Sequence, residues 1–96
     1  PDAIFASNDL LAMGLVQAFM FNSAIAIPQE IALIGYDDID FAQSAVVPLS
    51  SIRQPSKLLG ETAVELLLEE VDNPGEHTHR QVRFQPELVV RTSTSG

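Results

Sequence analysis

The sequence predicts an α/β fold in which flanking helices cover a parallel sheet. Two continuous apolar runs, Ala3 to Ala6 and Ile31 to Tyr36, have the length and composition of buried strands. Strand-like and helix-like segments alternate as β-α-β-α-β-α up to about Val71, an order that argues for parallel strands joined by right-handed crossovers. With 46% hydrophobic residues in 96, the chain has apolar content for one modest core.

Each element has a local reason. Ala3-Ile4-Phe5-Ala6 lies between Asp2 and Ser7-Asn8-Asp9, whose short oxygen-bearing side chains suit the start of a helix. Leu10 to Phe21 follows as that helix, with Gln17 its one polar side chain. A surface helix is polar on one face, so this one is expected to pack on its own sheet and against a second surface. Asn22 to Glu30, marked by Asn22-Ser23 and Pro28, reads as a loop. The second apolar run ends in Asp37-Asp38-Ile39-Asp40, an acidic turn able to open a short helix through Phe41 to Ser44. Leu49 to Arg53 is a third strand after Pro48. Pro55 sits near the first turn of the next helix, where its missing N–H costs nothing. That helix runs to about Val71, with Leu59, Ala63, Leu66 and Leu67 on one stripe and Glu61, Glu65 and Glu69 on another. Asp72-Asn73-Pro74-Gly75 ends it. Gln81 to Gln85 and Glu87 to Thr92 read as two strands before a frayed Ser/Thr/Gly tail.

Composition removes several functional classes. There is no cysteine, so disulfides and thiolate-held metals are excluded. No apolar stretch approaches the ~20 residues of a membrane-spanning helix, and no basic start before an apolar run marks a leader. The formal net charge is −8, from 13 acidic against 5 basic side chains, and no Lys or Arg precedes Arg53. Nucleic-acid binding relies on clustered bases, so this segment is a poor DNA-contacting surface.

In open α/β sheets, ligands bind beyond the carboxyl ends of the strands. Those ends are Ser7-Asn8-Asp9, Asp37-Asp38 and Arg53-Gln54. Together they offer carboxylates, amides, a hydroxyl and a guanidinium, a set suited to a polyhydroxylated or hydrogen-bond-rich small molecule. Each also has a plain structural role open to it. Asn8 and Asp9 suit helix capping, Asp37 or Asp38 could cap the short helix, Gln54 suits solvent, and Arg53 suits pairing with a surface acid. His77 and His79 beside Glu76 lack a further ligand and read as a solvated loop, so no metal site is assigned. Adjacent Asp37 and Asp38 could hold Mg²⁺ in a phospho-receiver, but that chemistry needs further acids and a Lys after a later strand, and Lys57 lies beyond Pro55 instead. No G-x-S-x-G and no glycine-rich phosphate loop is present, so no enzyme and no cofactor is expected.

The strings PDAIFASNDLLAMG, IPQEIALIGYDDID, PLSSIRQP, LGETAVELLLE and PELVVRTSTS, in this order and spacing, resemble the C-terminal part of the effector-binding region of LacI/GalR-family transcriptional regulators. They cover nearly all of the chain outside about residues 72–81. The resemblance implies a C-terminal fragment of a two-lobed periplasmic-binding-protein-like fold, with an effector held between the lobes. It implies that residues 1–54 belong to the C-terminal lobe, 55–80 supply a helix and loop of the N-terminal lobe, and 81–96 are crossover strands and tail. It also implies that Asn8, Asp37 and Gln54 bind the effector, a sugar, nucleoside or similar molecule, and that the first helix serves a homodimer interface. Leu11, Met13 and Leu15 are its interface candidates. Operator DNA would be bound by an N-terminal domain outside this chain, and the protein would be cytoplasmic and bacterial, with no membrane partner. Ala24 stands where the family usually places Gly after the first helix. A left-handed Ala there would cost about 1 kcal/mol relative to Gly, unless Asn22 or Ser23 takes the turn. Glu30 stands where Asp is commoner, a difference that touches capping only.

Two functions fit these residues: the sensor module of a transcriptional regulator, read here as a repressor, and a periplasmic sugar-binding transport receptor of the same fold. The Asn-Asp and Gly-Tyr-Asp-Asp strings and the apolar first helix favour the regulator.

Overall fold

The computed structural model describes residues 2–72, 75 and 81–95. The chain divides into two compact units, one formed by residues 1–53 and 87–96 and the other by residues 54–86.

The first unit is built on a four-stranded sheet. Strand β1 (Ala3–Phe5) leads to helix α1 (Asp9–Ala18), β2 (Ala32–Tyr36) and β3 (Ser50–Arg53), and the chain returns as β4 (Glu87–Val89) before a one-turn helix, here α3 (Thr92–Ser95). The intervening helix α2 (Ser56–Asp72) belongs to the second unit. The strand order is β1-β2-β3-β4, parallel across the first two pairs and antiparallel between β3 and β4. The alternation of segments correctly implies the parallel core of the sheet. It does not reveal the last strand's direction, because β4 completes no crossover of its own; Arg53 pairs with Glu87 and the two strands run back along one another.

The core lies between the sheet and α1. Ala12 and Val16 on the helix meet Ala6, Leu33 and Leu49 from the strands and Ile27 and Ala42 from the connections, all buried. Ile4, Leu15, Phe19 and Val47 pack against this cluster. Small side chains on α1 let the helix approach the sheet closely, while Leu10 and Leu11 stay exposed.

Four elements differ from the sequence reading. The first helix ends at Ala18 and continues as a wide π-type turn, Phe19–Ser23. Ala24 closes it in the left-handed conformation, φ 51° and ψ 35°, and its N–H bonds back to the Phe19 carbonyl. Residues 81–86 form no strand, although Val82 and Phe84 alternate with polar residues. Alternation alone does not make a strand; a ladder partner is needed, and residues 81–86 pair with none of the four strands. The final strand stops at Val89, short of Thr92. Finally, the Ser/Thr tail is anchored through Ser95. Ser93 is fully buried; its hydroxyl donates to the Leu33 carbonyl and accepts from Ser50 N–H, and its own N–H donates to the Pro48 carbonyl.

In the second unit, Ser56 N–H and Oγ both donate to the Gln54 carbonyl, and Leu59 N–H donates to the Pro55 carbonyl, so the chain enters α2 directly from Pro55. No α2 residue is buried, and Leu58, Val64, Leu67, Leu68 and Val71 are exposed. Leu59 and Leu66 of the apolar stripe are half-buried, Ala63 and Leu67 exposed. Among the described residues, no helix is long and apolar enough to cross a membrane. The expected loop with Glu76, His77 and His79, and the Asn73-Pro74 part of the turn, lie outside the described residues.

Candidate functional site

The parallel pairing of β1, β2 and β3 brings their carboxyl ends to one side of the sheet. Ala6 N–H donates to the Ile34 carbonyl and Asp37 N–H to the Ile52 carbonyl, so the ladder continues just past both strands. Asn8 and Asp37 leave the sheet at this end, two residues beyond Ala6 and one beyond Tyr36.

Asn8 caps α1. Its backbone is extended, φ −156°, and its side-chain Oδ1 accepts from Leu11 N–H at 2.9 Å. The cap uses the oxygen, and the amide nitrogen is a donor. Asp9 does not cap. It is the first residue of α1, fully buried, and its carboxylate accepts from Ser51 Oγ at 2.7 Å and from Ile39 N–H at 2.8 Å. Nor do Asp37 and Asp38 cap the short helix. That element is one 3₁₀ turn, Asp40–Ala42, whose cap position is Ile39 with no side-chain cap bond.

The turn after β2 has unusual backbone geometry. Asp37 and Asp38 are both left-handed, with φ of 107° and 52°. Side chains other than glycine cost on the order of 1–2 kcal/mol each in that region. Asp37 is exposed at the turn. The Asp38 side chain is 7% exposed and joins two guanidinium groups at 2.7 Å, Arg53 Nε and Arg91 Nη1. Arg91 also donates to the Leu49 carbonyl, and Arg53 reaches Glu87 at 3.2 Å. The bond from Arg91, together with the one from Arg53, outweighs burial and holds the Asp38 carboxyl below the ordinary carboxylate range. Arg53 is thus paired with acids at the surface.

Of the three candidate ligand residues, Asn8 and Asp37 stand at the same end of the sheet in the first unit. Gln54 directly follows β3 and is the first residue of the second unit. Among the described residues, no cluster of three His, Asp or Glu side chains could hold a metal.

The interface candidates on α1 point differently. Leu11 is 55% exposed, Leu15 is half-buried against the core cluster, and Met13 is half-buried in an apolar groove of about 320 Å³. Gln17, Met20 and Phe21 line the groove from the same helix and its terminal turn, and Phe41, Ala45 and Val46 line it from the connection before β3. Phe21, Phe41 and Val46 are largely exposed. Sequence reasoning missed this wall: Phe41 and Val46 lie far from α1 along the chain, and only the uniform apolarity of Leu10 to Phe21 hinted that a second surface was needed.

The periplasmic binding protein-like domain matches residues 1–94. The chain is 43% identical over 93 residues to the HTH-type transcriptional repressor PurR of Photobacterium profundum, covering 97% of this chain and 27% of that protein. It is 41% identical over 95 residues to the ribose operon repressor of Escherichia coli, covering 97% and 28%. In structure it is similar to the Lac repressor dimer bound to operator and an anti-inducer, with a TM-score of 0.83 and 30% identity, covering 98% of this chain and 32% of that one. The chain therefore spans little more than a quarter of the length of the repressors it matches. Its matched residues and its sheet agree on one assignment: the chain belongs to the periplasmic-binding-protein-like domain family.

Proposed function

We propose that this chain is the C-terminal part of the effector-binding and dimerisation region of a DNA-binding transcriptional repressor of the LacI/GalR type. The observation that carries the reading is the placement of Asn8 and Asp37 together at the carboxyl end of a parallel sheet, where such sheets bind ligands. An exposed carboxylate and an amide at one end of the sheet suit a ligand with several hydroxyls, and a ribose operon repressor is among the relatives. Asp37 accepts from ligand hydroxyls, Asn8 donates through its amide nitrogen, and Gln54 contributes from the start of the next unit. The division of the chain into residues 1–53 with 87–96 and residues 54–86 supports a two-lobe assignment close to the expected one, except that Gln54 and residues 81–86 fall in the second unit. The remainder of the ligand's shell, and the operator-reading domain, belong to the length of the relatives that the chain does not span.

The module works by binding, without chemistry on its ligand, in a cytoplasmic protein. Effector binding changes operator affinity only if the ligand prefers one of two lobe arrangements. The apolar groove beside Met13 supports a homodimer, the form in which the Lac repressor structure is described. A transport receptor of the same fold is not favoured, since both relatives are named repressors.

The test is Asp37→Ala in the full-length protein, with operator binding followed as D-ribose and a panel of other sugars and nucleosides are titrated. The variant is expected to lose the effector response while keeping its operator affinity. An unchanged response would remove Asp37 from the site.

A further inference from the structure

We infer that Asp9 and Ser51 form a buried positioning pair that imposes the left-handed turn presenting Asp37, so ligand recognition depends on two side chains that do not touch the ligand. The inference rests on the assignment of Asp37 to the ligand site. Asp37 and Asp38 hold positive φ in succession without a glycine, a conformation that persists only where the surroundings impose it. Three successive backbone N–H groups do so here. Asp37 N–H donates to the Ile52 carbonyl at 2.9 Å, a ladder bond open to any sequence. Asp38 N–H donates to Ser51 Oγ at 2.9 Å, and Ile39 N–H donates to Asp9 Oδ2 at 2.8 Å. The Ser51 hydroxyl passes its own proton to a bond with Asp9 Oδ1 at 2.7 Å. The side chains therefore form one chain of bonds, in which Ser51 accepts from the turn and donates to Asp9, while Asp9 accepts again from the turn.

Both residues are fully buried. Bonds to a buried carboxylate are short and strong, and leaving one unmade is costly. Asp9 also follows Asn8 in the chain, so the helix start that carries one candidate ligand residue holds the turn that carries the other. The pair thereby fixes Asn8 and Asp37 relative to each other. Asp38 grips the turn from its other side through Arg53 and Arg91, but its carboxylate bonds leave the Asp38 and Ile39 N–H groups to Ser51 and Asp9.

The experiment uses the full-length protein with Ser51→Ala, Ser51→Thr and Asp9→Asn. Amide hydrogen exchange across residues 36–40 is read by mass spectrometry, and D-ribose affinity by calorimetry. Ser51→Ala and Asp9→Asn are expected to speed exchange at Asp38 and Ile39 and to weaken D-ribose binding, each by about tenfold. Ser51→Thr keeps the hydroxyl and is expected to restore both, which a general loss of packing would not allow. Unchanged exchange in Ser51→Ala overturns the inference, as does faster exchange with unaltered affinity. If wild-type protein ignores D-ribose, or Asp37→Ala binds it normally, the site assignment for this sugar fails and takes the recognition half of the inference with it. The exchange rates alone still decide whether the pair holds the turn.

Discussion

The carboxylate of Asp9 occupies the space that a β-carbon on Gly35 would need, and Leu49 Cδ2 would stand 3.1 Å from that carbon. The glycine of the Gly-Tyr-Asp-Asp string thus serves a close approach in mid-strand. Gly35→Ala forces either the buried carboxylate or the strand to move. Overpacking of this kind costs about 1–3 kcal/mol, and the loss is expected as a lower urea midpoint at unchanged slope. An unchanged midpoint would mean that Asp9 shifts freely, against its two bonds.

Ala24 is the opposite case, a side chain where glycine would fit better. Its left-handed conformation closes the wide turn after α1, and it is exposed, so no packing is lost by trimming it. Ala24→Gly is expected to stabilise the protein by about 1 kcal/mol, seen as a higher midpoint in thermal or urea unfolding. Destabilisation would show that unfolded-chain entropy outweighs the relief of strain at this position.

Asp38 makes acid stability depend on its two arginines. Its carboxyl is held below the ordinary value of 3.8, first by the Arg91 bond and also by Arg53. A folded-state value below the unfolded one means the contribution is fully present above about pH 4 and fades as pH falls through the lower folded value. Asp38→Asn removes that contribution. The gap in unfolding free energy between wild type and variant is expected to be constant near neutrality and to narrow below pH 4. A gap that is flat throughout this range would remove the ion pairs as its cause.

Much of this arrangement follows from patterns that a single chain carries. The apolar runs around Ile4 and Leu33 and the polar residues after them locate two strand ends, and thereby Asn8 and Asp37. Local pattern misleads where partners are distant in sequence. Asp9 looks like a cap until Ser51 and Ile39 are brought to it across 42 and 30 residues. Ser93 looks like part of a loose tail until its hydroxyl bridges β2 and β3. Val82 and Phe84 have the period of a strand and pair with none of the four strands. Short-range chemistry identifies what a residue is able to do, and the long-range fold selects which of those bonds it makes.

The first helix makes this selection testable, because its three interface candidates predict three different outcomes. Leu15 is half-buried against the core cluster, so Leu15→Lys sets a charge against apolar side chains and is expected to destabilise the protein. Leu11 and Met13 are separated by about 200° around the helix, and of the two only Met13 lines the apolar groove with Phe21, Phe41 and Val46. An apolar groove with exposed aromatic walls is the kind of surface that associates. If it joins two copies of the chain, Met13→Lys places a charge in the centre of the interface, where single substitutions reach about 30-fold or more in affinity. Sedimentation of the full-length protein is expected to show monomer for Met13→Lys and dimer for Leu11→Lys, with both variants folded by circular dichroism. The reverse order would move the interface to the Leu11 face, and two unaffected dimers would place it off this helix altogether.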